Sequence, residues 1–154
     1  MNEYEEKLKK YLLDNHIDAK QMIFEDTCHS VEEAAAAANV SPEDFIKSIC
    51  MINSHGELIV AIVKGENRAS TSRIGKLLNI EPPRLATPEE ILKKTGYICG
   101  GVPGFGFVAT FLIDPKVMEA EVVYTGGGSP YSLTRISTKT MQQINKGEVV
   151  RVRK

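Results

Sequence analysis

The sequence predicts an α/β (α+β) fold, a mixed, barrel-like β-sheet surrounded by helices. Three observations carry this. Helix-like and strand-like runs alternate irregularly along the 154 residues, so hairpins must be mixed with crossovers. The run Leu58–Val63 (LIVAIV) is apolar on both faces, as a central strand covered on both sides must be. The turn residues Asn53-Ser54-His55-Gly56 join that run to Ser48–Ile52 (SICMI), which marks one antiparallel pair directly.

The remaining elements follow in order. Tyr4, Leu8, Tyr11 and Leu12 recur at helical spacing and predict an amphipathic helix ending near Asn15. Lys20–Glu25 reads as a short strand. Ser30 with Glu33 three residues on forms a capping box for the alanine run to Ala38, which stops at Asn39. Ser41-Pro42 then starts a short second helix, with proline at the first helical position. Thr71–Leu78 is a helix that Asn79 and Pro82-Pro83 end. Thr87-Pro88 with Glu90 opens another, closed by Gly96. Val108–Ile113 is a strand, Asp114-Pro115 starts one helical turn, and Glu121–Thr125 and Ser132–Ile136 are strands on either side of Gly126-Gly127-Gly128. Ser137 caps a last helix to about Asn145, and Glu148–Val152 closes the chain as a strand.

Composition bounds the function. With 42% apolar and 25% charged residues, residues 1–154 are expected to form a single domain with an ordinary core. No stretch resembles a signal peptide and no apolar run approaches bilayer length, which predicts a cytoplasmic protein with no membrane partner. Three cysteines, Cys28, Cys50 and Cys99, without close spacing argue for reduced thiols. The net charge of −1 conceals an uneven distribution. Lys64–Arg84 carries five bases against two acids, and Arg135–Lys154 six against one. Such segments are either a solvated surface or, if they share a face, a docking site for a polyanion.

The stretch Gly96–Gly106 (GYICGGVPGFG) holds five of the twelve glycines between a helix and a strand. It is either an irregular connection or a loop that binds a ligand through its main chain, which glycine leaves uncovered. Gly104-Phe105-Gly106-Phe107-Val108-Ala109 matches the dinucleotide fingerprint in letters only: it follows a helix and opens a strand, the reverse of what that motif requires. His16, His29 and His55 lack ligand spacing, so no metal site is expected. Ser30 beside His29 is explained as a helix cap, and Cys99 is the one thiol placed for reactivity. Lys47, among Phe45, Ile46, Ile49 and Cys50, either reaches into a cleft as a fixed ammonium or snorkels to water.

Taken together, several motifs point further. Ser30-Val31-Glu32-Glu33-Ala34-Ala35, Asp44-Phe45-Ile46-Lys47-Ser48, Gly65-Glu66-Asn67-Arg68, Thr95-Gly96-Tyr97 with Gly100-Gly101-Val102, and Ile113-Asp114 occur in an order that resembles the YbaK/EbsC family of aminoacyl-tRNA deacylases, related to the editing insertion of bacterial prolyl-tRNA synthetase. The resemblance spans about Ser30 to Arg151 and implies a trans-editing hydrolase that removes a small amino acid from the 3′ end of a mischarged tRNA, without metal or cofactor. By position Lys47 matches the family's essential lysine. Gly100, Gly101 and Val102 match the loop that holds the 3′-adenosine and aminoacyl group. Gly126 and Gly127 match a late glycine turn, which is either another pocket wall or a plain turn. Two departures stand out: Pro103-Gly104 has glycine where the family's proline usually stands, and Phe107 replaces a histidine found in some relatives. The implied partners are mischarged tRNA and an aminoacyl-tRNA synthetase. The alternative is a non-catalytic module that holds an aminoacyl or nucleotide group as an accessory to a synthetase.

Overall fold

A computed structural model describes residues 1–24 and 31–154 of the chain. The expected cap at Ser30 and the end of the first strand at Glu25 lie outside the described residues. Helix α1 (Glu3–Asp14) starts at a capping box formed by Asn2 and Glu5, and buries Leu8 and Leu12. Strand β1 (Ala19–Ile23) and helix α2 (Val31–Ala38) follow. The helix expected after Ser41 is only a 3₁₀ turn, Pro42–Asp44, because the next strand begins two residues later. That strand, β2 (Ile46–Ile52), forms an antiparallel hairpin with β3 (Leu58–Lys64) across the Asn53–Gly56 turn.

Helix α3 (Thr71–Leu78) is capped by Ser70 and ended by Asn79 in the left-handed region. A two-residue strand, β4 (Arg84–Leu85), comes after the proline pair; its brevity hid it from the periodicity of the sequence. Helix α4 (Pro88–Thr95) has the Thr87–Glu90 capping box and the Gly96 stop that its residues predict. Strand β5 (Thr110–Ile113) starts two residues later than expected, and Val108 is left 93% exposed. One helical turn, α5 (Pro115–Met118), leads to the hairpin of β6 (Val122–Gly126) and β7 (Ser132–Ser137). Helix α6 (Thr138–Asn145) and β8 (Glu148–Val149) complete the chain. The last strand stops short of Val152 because Asp114 Oδ1 takes the N–H groups of Val152 and Arg153.

The strands form two sheets. One is five-stranded, in the order β4-β2-β3-β5-β8, antiparallel on the β2 side of β3 and parallel beyond it. The other is three-stranded and antiparallel, β1-β7-β6. A bridge between Phe45 and Tyr124 joins them, so the mixed sheet curls as predicted without closing into a full barrel. Strand β3 is the centre of the core. Leu58, Val60 and Ile62 pack with Leu8, Tyr97, Phe105 and Met141 on one face, while Ile59, Ala61 and Val63 pack with Met51, Ile74 and Leu112 on the other. Burial on both faces is the physical reason for the unbroken apolar run.

Candidate functional site

Strand β2 is paired with β3 along its whole length, but on its other side it is covered only at the ends. Phe45 bridges Tyr124 at the start, and β4 pairs with Met51 and Ile52 at the finish. Among the described residues, 46–49 therefore have no strand paired with them on that side. A cleft of about 380 Å³ occupies the gap. Its floor is Phe45–Cys50. One wall is Leu85, Ala86 and Ile91 with Cys99, Gly100 and Val102; the other is Tyr124, Thr125, Gly126 and Leu133. This volume lies in the range of small-ligand sites. A second depression, of about 440 Å³, lies over Ala35, Asn39 and Pro42, and none of its lining side chains is ionisable.

Lys47 is the second residue of β2, opposite Val63. Its side chain is half-buried and lines the cleft. Burial, and then the charge of Arg68, lower its pKa below the ordinary lysine value. No carboxylate lies within ion-pair distance of it among the described residues. Beside it, the Ser48 hydroxyl is shielded from solvent and has no hydrogen-bond partner among the described residues.

The glycine stretch meets the late glycine turn as bare backbone on bare backbone. A Cβ on Gly101 would fall 2.3 Å from Ser129 N, and one on Gly126 would fall 2.4 Å from Val102 O. Gly128 N–H donates to Gly101 O at 2.8 Å, tying the two segments together. Of the residues singled out in the sequence, Lys47, Gly100, Val102 and Gly126 share the cleft. Gly101, Pro103, Gly104 and Gly127 are buried and do not line it. Gly104 donates its N–H to Thr125 Oγ1 at 3.0 Å and accepts from Asn145 Nδ2 at 2.8 Å, so both its main-chain groups are spent inside the fold. Gly127 packs against the backbone of β7, where a Cβ would lie 2.5 Å from Leu133 N. Phe107 packs against Phe111 with the rings tilted by 45° at a centroid distance of 5.3 Å, and is not part of the cleft lining.

Both described cysteines line the cleft, Cys50 buried and Cys99 exposed. Burial, reinforced by Cys99, pushes the Cys50 thiol up to about 12, so it is a packing residue at neutral pH. No local pattern marks Ala86, Ile91 or Leu133, whose role depends on the wall each happens to form. The two basic segments do meet: Ala69 bridges Arg153, Ser70 N–H donates to Val152 O at 2.7 Å, and Lys154 N–H donates to Arg68 O at 2.8 Å.

A curled, mixed-sheet domain whose cleft joins a half-buried ammonium to a wall of packed glycine backbone has close counterparts among solved structures. One, described as a proposed trans-editing enzyme for prolyl-tRNA synthetase, superposes with a TM-score of 0.90 at 24% identity, covering 100% of this chain and 99% of its own. That likeness defines the fold class. Residues 25–144 match the aminoacyl-tRNA editing domain, and the chain belongs to that family. YwhH of Bacillus subtilis, itself uncharacterised, is 23% identical over 128 residues, 82% of this chain and 81% of its own length. The proline–tRNA ligase of Thermotoga neapolitana is 26% identical over 98 residues, covering 64% of this chain but only 17% of the ligase. No described helix is long and apolar enough to cross a membrane.

Proposed function

We propose that the protein is a trans-editing hydrolase that removes a small amino acid from mischarged tRNA. The observation that carries this reading is the meeting, in one cleft, of Lys47 with Gly100, Val102 and Gly126. A synthetase pocket sized for one amino acid rejects a smaller one only by a modest factor, so errors need a second, smaller site. The aminoacyl ester is already activated, and positioning with electrostatic help goes far toward its hydrolysis.

In this mechanism the acylated adenosine lies along the glycine wall, with its carbonyl or its terminal phosphate toward the Lys47 ammonium. Water adds to the ester carbonyl, the bond from the carbonyl carbon to the ribose oxygen breaks, and the proton passes to that oxygen. The products are the free amino acid and a tRNA with its 3′-terminal hydroxyl restored. In this scheme the amino-acid side chain would lie against Ile91, Val102 and Leu133, which line the cleft. No metal or cofactor takes part in this scheme, and the joined basic segments would carry the acceptor stem. A synthetase is the natural partner in supplying the mischarged tRNA.

One observation favours a second reading. Among the described residues, the ionisable side chains lining the cleft are Lys47, Cys50, Cys99 and Tyr124, with neither a carboxylate nor a histidine to act as a base. That suits a module that holds the aminoacyl end without cleaving it. A panel of mischarged tRNAs separates the two: the hydrolase releases a small amino acid from at least one, and Lys47→Ala abolishes the release. A protein that binds the panel and hydrolyses none is the binding module.

A further inference from the structure

Resting on the aminoacyl-tRNA reading, we infer that Lys47 and Arg68 form a phosphodiester-binding pair at the mouth of the cleft, with Arg68 gripping the polynucleotide beyond the acylated adenosine. Three features support this. The first is where the Arg68 loop sits. Gly65 N–H donates to Phe45 O at 2.8 Å, which sets the start of the loop beside the start of β2, two residues from Lys47. Asn67 N–H then closes a turn on Lys64 O at 2.9 Å, and Arg68 O accepts from Lys154 N–H at 2.8 Å. The backbone of Arg68 is thus pinned from both directions while its side chain stays exposed.

The second feature is the absence of neutralising partners. Arg84 is paired with Glu90 and Arg153 with Asp114, whereas neither Lys47 nor Arg68 has a carboxylate within ion-pair distance among the described residues. Two cations near enough for Arg68 to disfavour the Lys47 ammonium repel each other until an anion comes between them. The third is the chemistry of the anion. The cleft takes the acyl and adenosine portions, which carry no negative charge, so the first anion along the chain is the phosphodiester. A guanidinium suits two phosphate oxygens at once. Lys154, joined to Arg68 through its backbone, is exposed and adds a further positive charge next to it.

Two substrates test the pair: an aminoacyl-adenosine, which has the ester but no phosphate, and the same amino acid on an acceptor-stem minihelix. Arg68→Ala is expected to raise KM for the minihelix about tenfold with little change in kcat, and to lower the slope of log KM against log salt by about one. At neutral pH, hydrolysis of the aminoacyl-adenosine should stay as in the wild type, and Arg68→Lys should recover part of the loss on the minihelix. The inference is overturned if Arg68→Ala handles the minihelix like the wild type, or if it loses activity equally on both substrates. Those results leave the editing reading standing. Failure of the wild type on both substrates removes the editing reading and this inference with it.

Discussion

Glu5, in the first turn of α1, accepts a short hydrogen bond from the hydroxyl of Ser129, which lies 124 residues along the chain and directly behind the glycine wall of the cleft. The other oxygen of the same carboxylate closes the capping box on Asn2 N–H at 2.9 Å. Glu5 is only 2% exposed and Ser129 is fully buried. One carboxylate thereby starts a helix and props the segment against which Gly101 is packed.

Replacing Ser129 with Ala leaves that carboxylate short of one donor in a buried place. The expected loss is about 2 kcal/mol, the usual scale for a buried hydrogen bond to a charged group. The double variant Glu5→Gln with Ser129→Ala should lose less than the two single changes added together, because the charge that needed the donor is gone. Denaturant unfolding of the four proteins checks this; strictly additive losses would show that the two groups do not act on each other.

The glycines of the wall divide into two kinds. Gly101→Ala puts a methyl group into the Ser129 backbone at 2.3 Å, where no flexible side chain can yield. It should cost about 3 kcal/mol or more and abolish activity together with the fold. Gly100→Ala meets nothing nearer than Pro130 Cγ at 3.7 Å, but its φ of +95° is strained for any residue with a Cβ. The expected cost there is about 1 to 2 kcal/mol with the fold retained. Thermal melts of the two variants should rank them in that order, and equal melts would refute the backbone contact at Gly101.

These glycines show where the sequence was readable and where it was not. Capping boxes, stop residues and the doubly apolar run of β3 are local signals, and Thr87–Glu90, Gly96 and Leu58–Val63 fell where such signals put them. The cleft depends on contacts that no local pattern encodes. Gly101 and Gly126 touch each other across 25 positions because each lacks a side chain, so either could be taken for a flexible turn. Strand β4 has two residues and no period, and Glu5 looks like any solvated charge on α1 until Ser129 is placed behind it. Family resemblance picked out Lys47, but its place within the strand follows from the pairing with Val63.

The chain end depends on Asp114. Its carboxylate is 1% exposed and accepts from the N–H groups of Val152, Arg153 and Lys116 and from the Arg153 guanidinium, the last at 2.8 Å. Burial raises its pKa, but the hydrogen bonds from Val152, Lys116 and Arg153 outweigh this, and the net shift is downward. A carboxyl with a folded pKa below its unfolded one adds stability that is fully present above the unfolded value and is lost as pH falls through the folded value. Asp114→Asn should remove about 3 kcal/mol at neutral pH and flatten the acid limb of a stability-against-pH curve below about pH 4. Hydrogen exchange should show Val152 and Arg153 amides exposed in the variant; unchanged protection there would refute the role of this carboxylate.

Lys47 ties activity and stability in opposite directions. Burial and the charge of Arg68 hold its pKa below that of an ordinary lysine, so folding favours the neutral amine. Between the folded and unfolded pKa values the unfolded chain binds more protons, and stability contributed by this group rises with pH across that window. Below that window the ammonium is a burden on the fold. Lys47→Met, which keeps the length of the side chain and drops the charge, should therefore melt no lower than the wild type while losing deacylation by at least a hundredfold, the scale of one electrostatic contact in a transition state. Wild-type activity should fall on the alkaline side at a pH below the ordinary lysine range as the ammonium is lost, and Arg68→Ala should move that fall to higher pH by removing the second cation. A pH–rate profile of the two proteins on the same ester measures both effects. An alkaline limb that Arg68→Ala leaves in place would mean that the group titrating there is not Lys47.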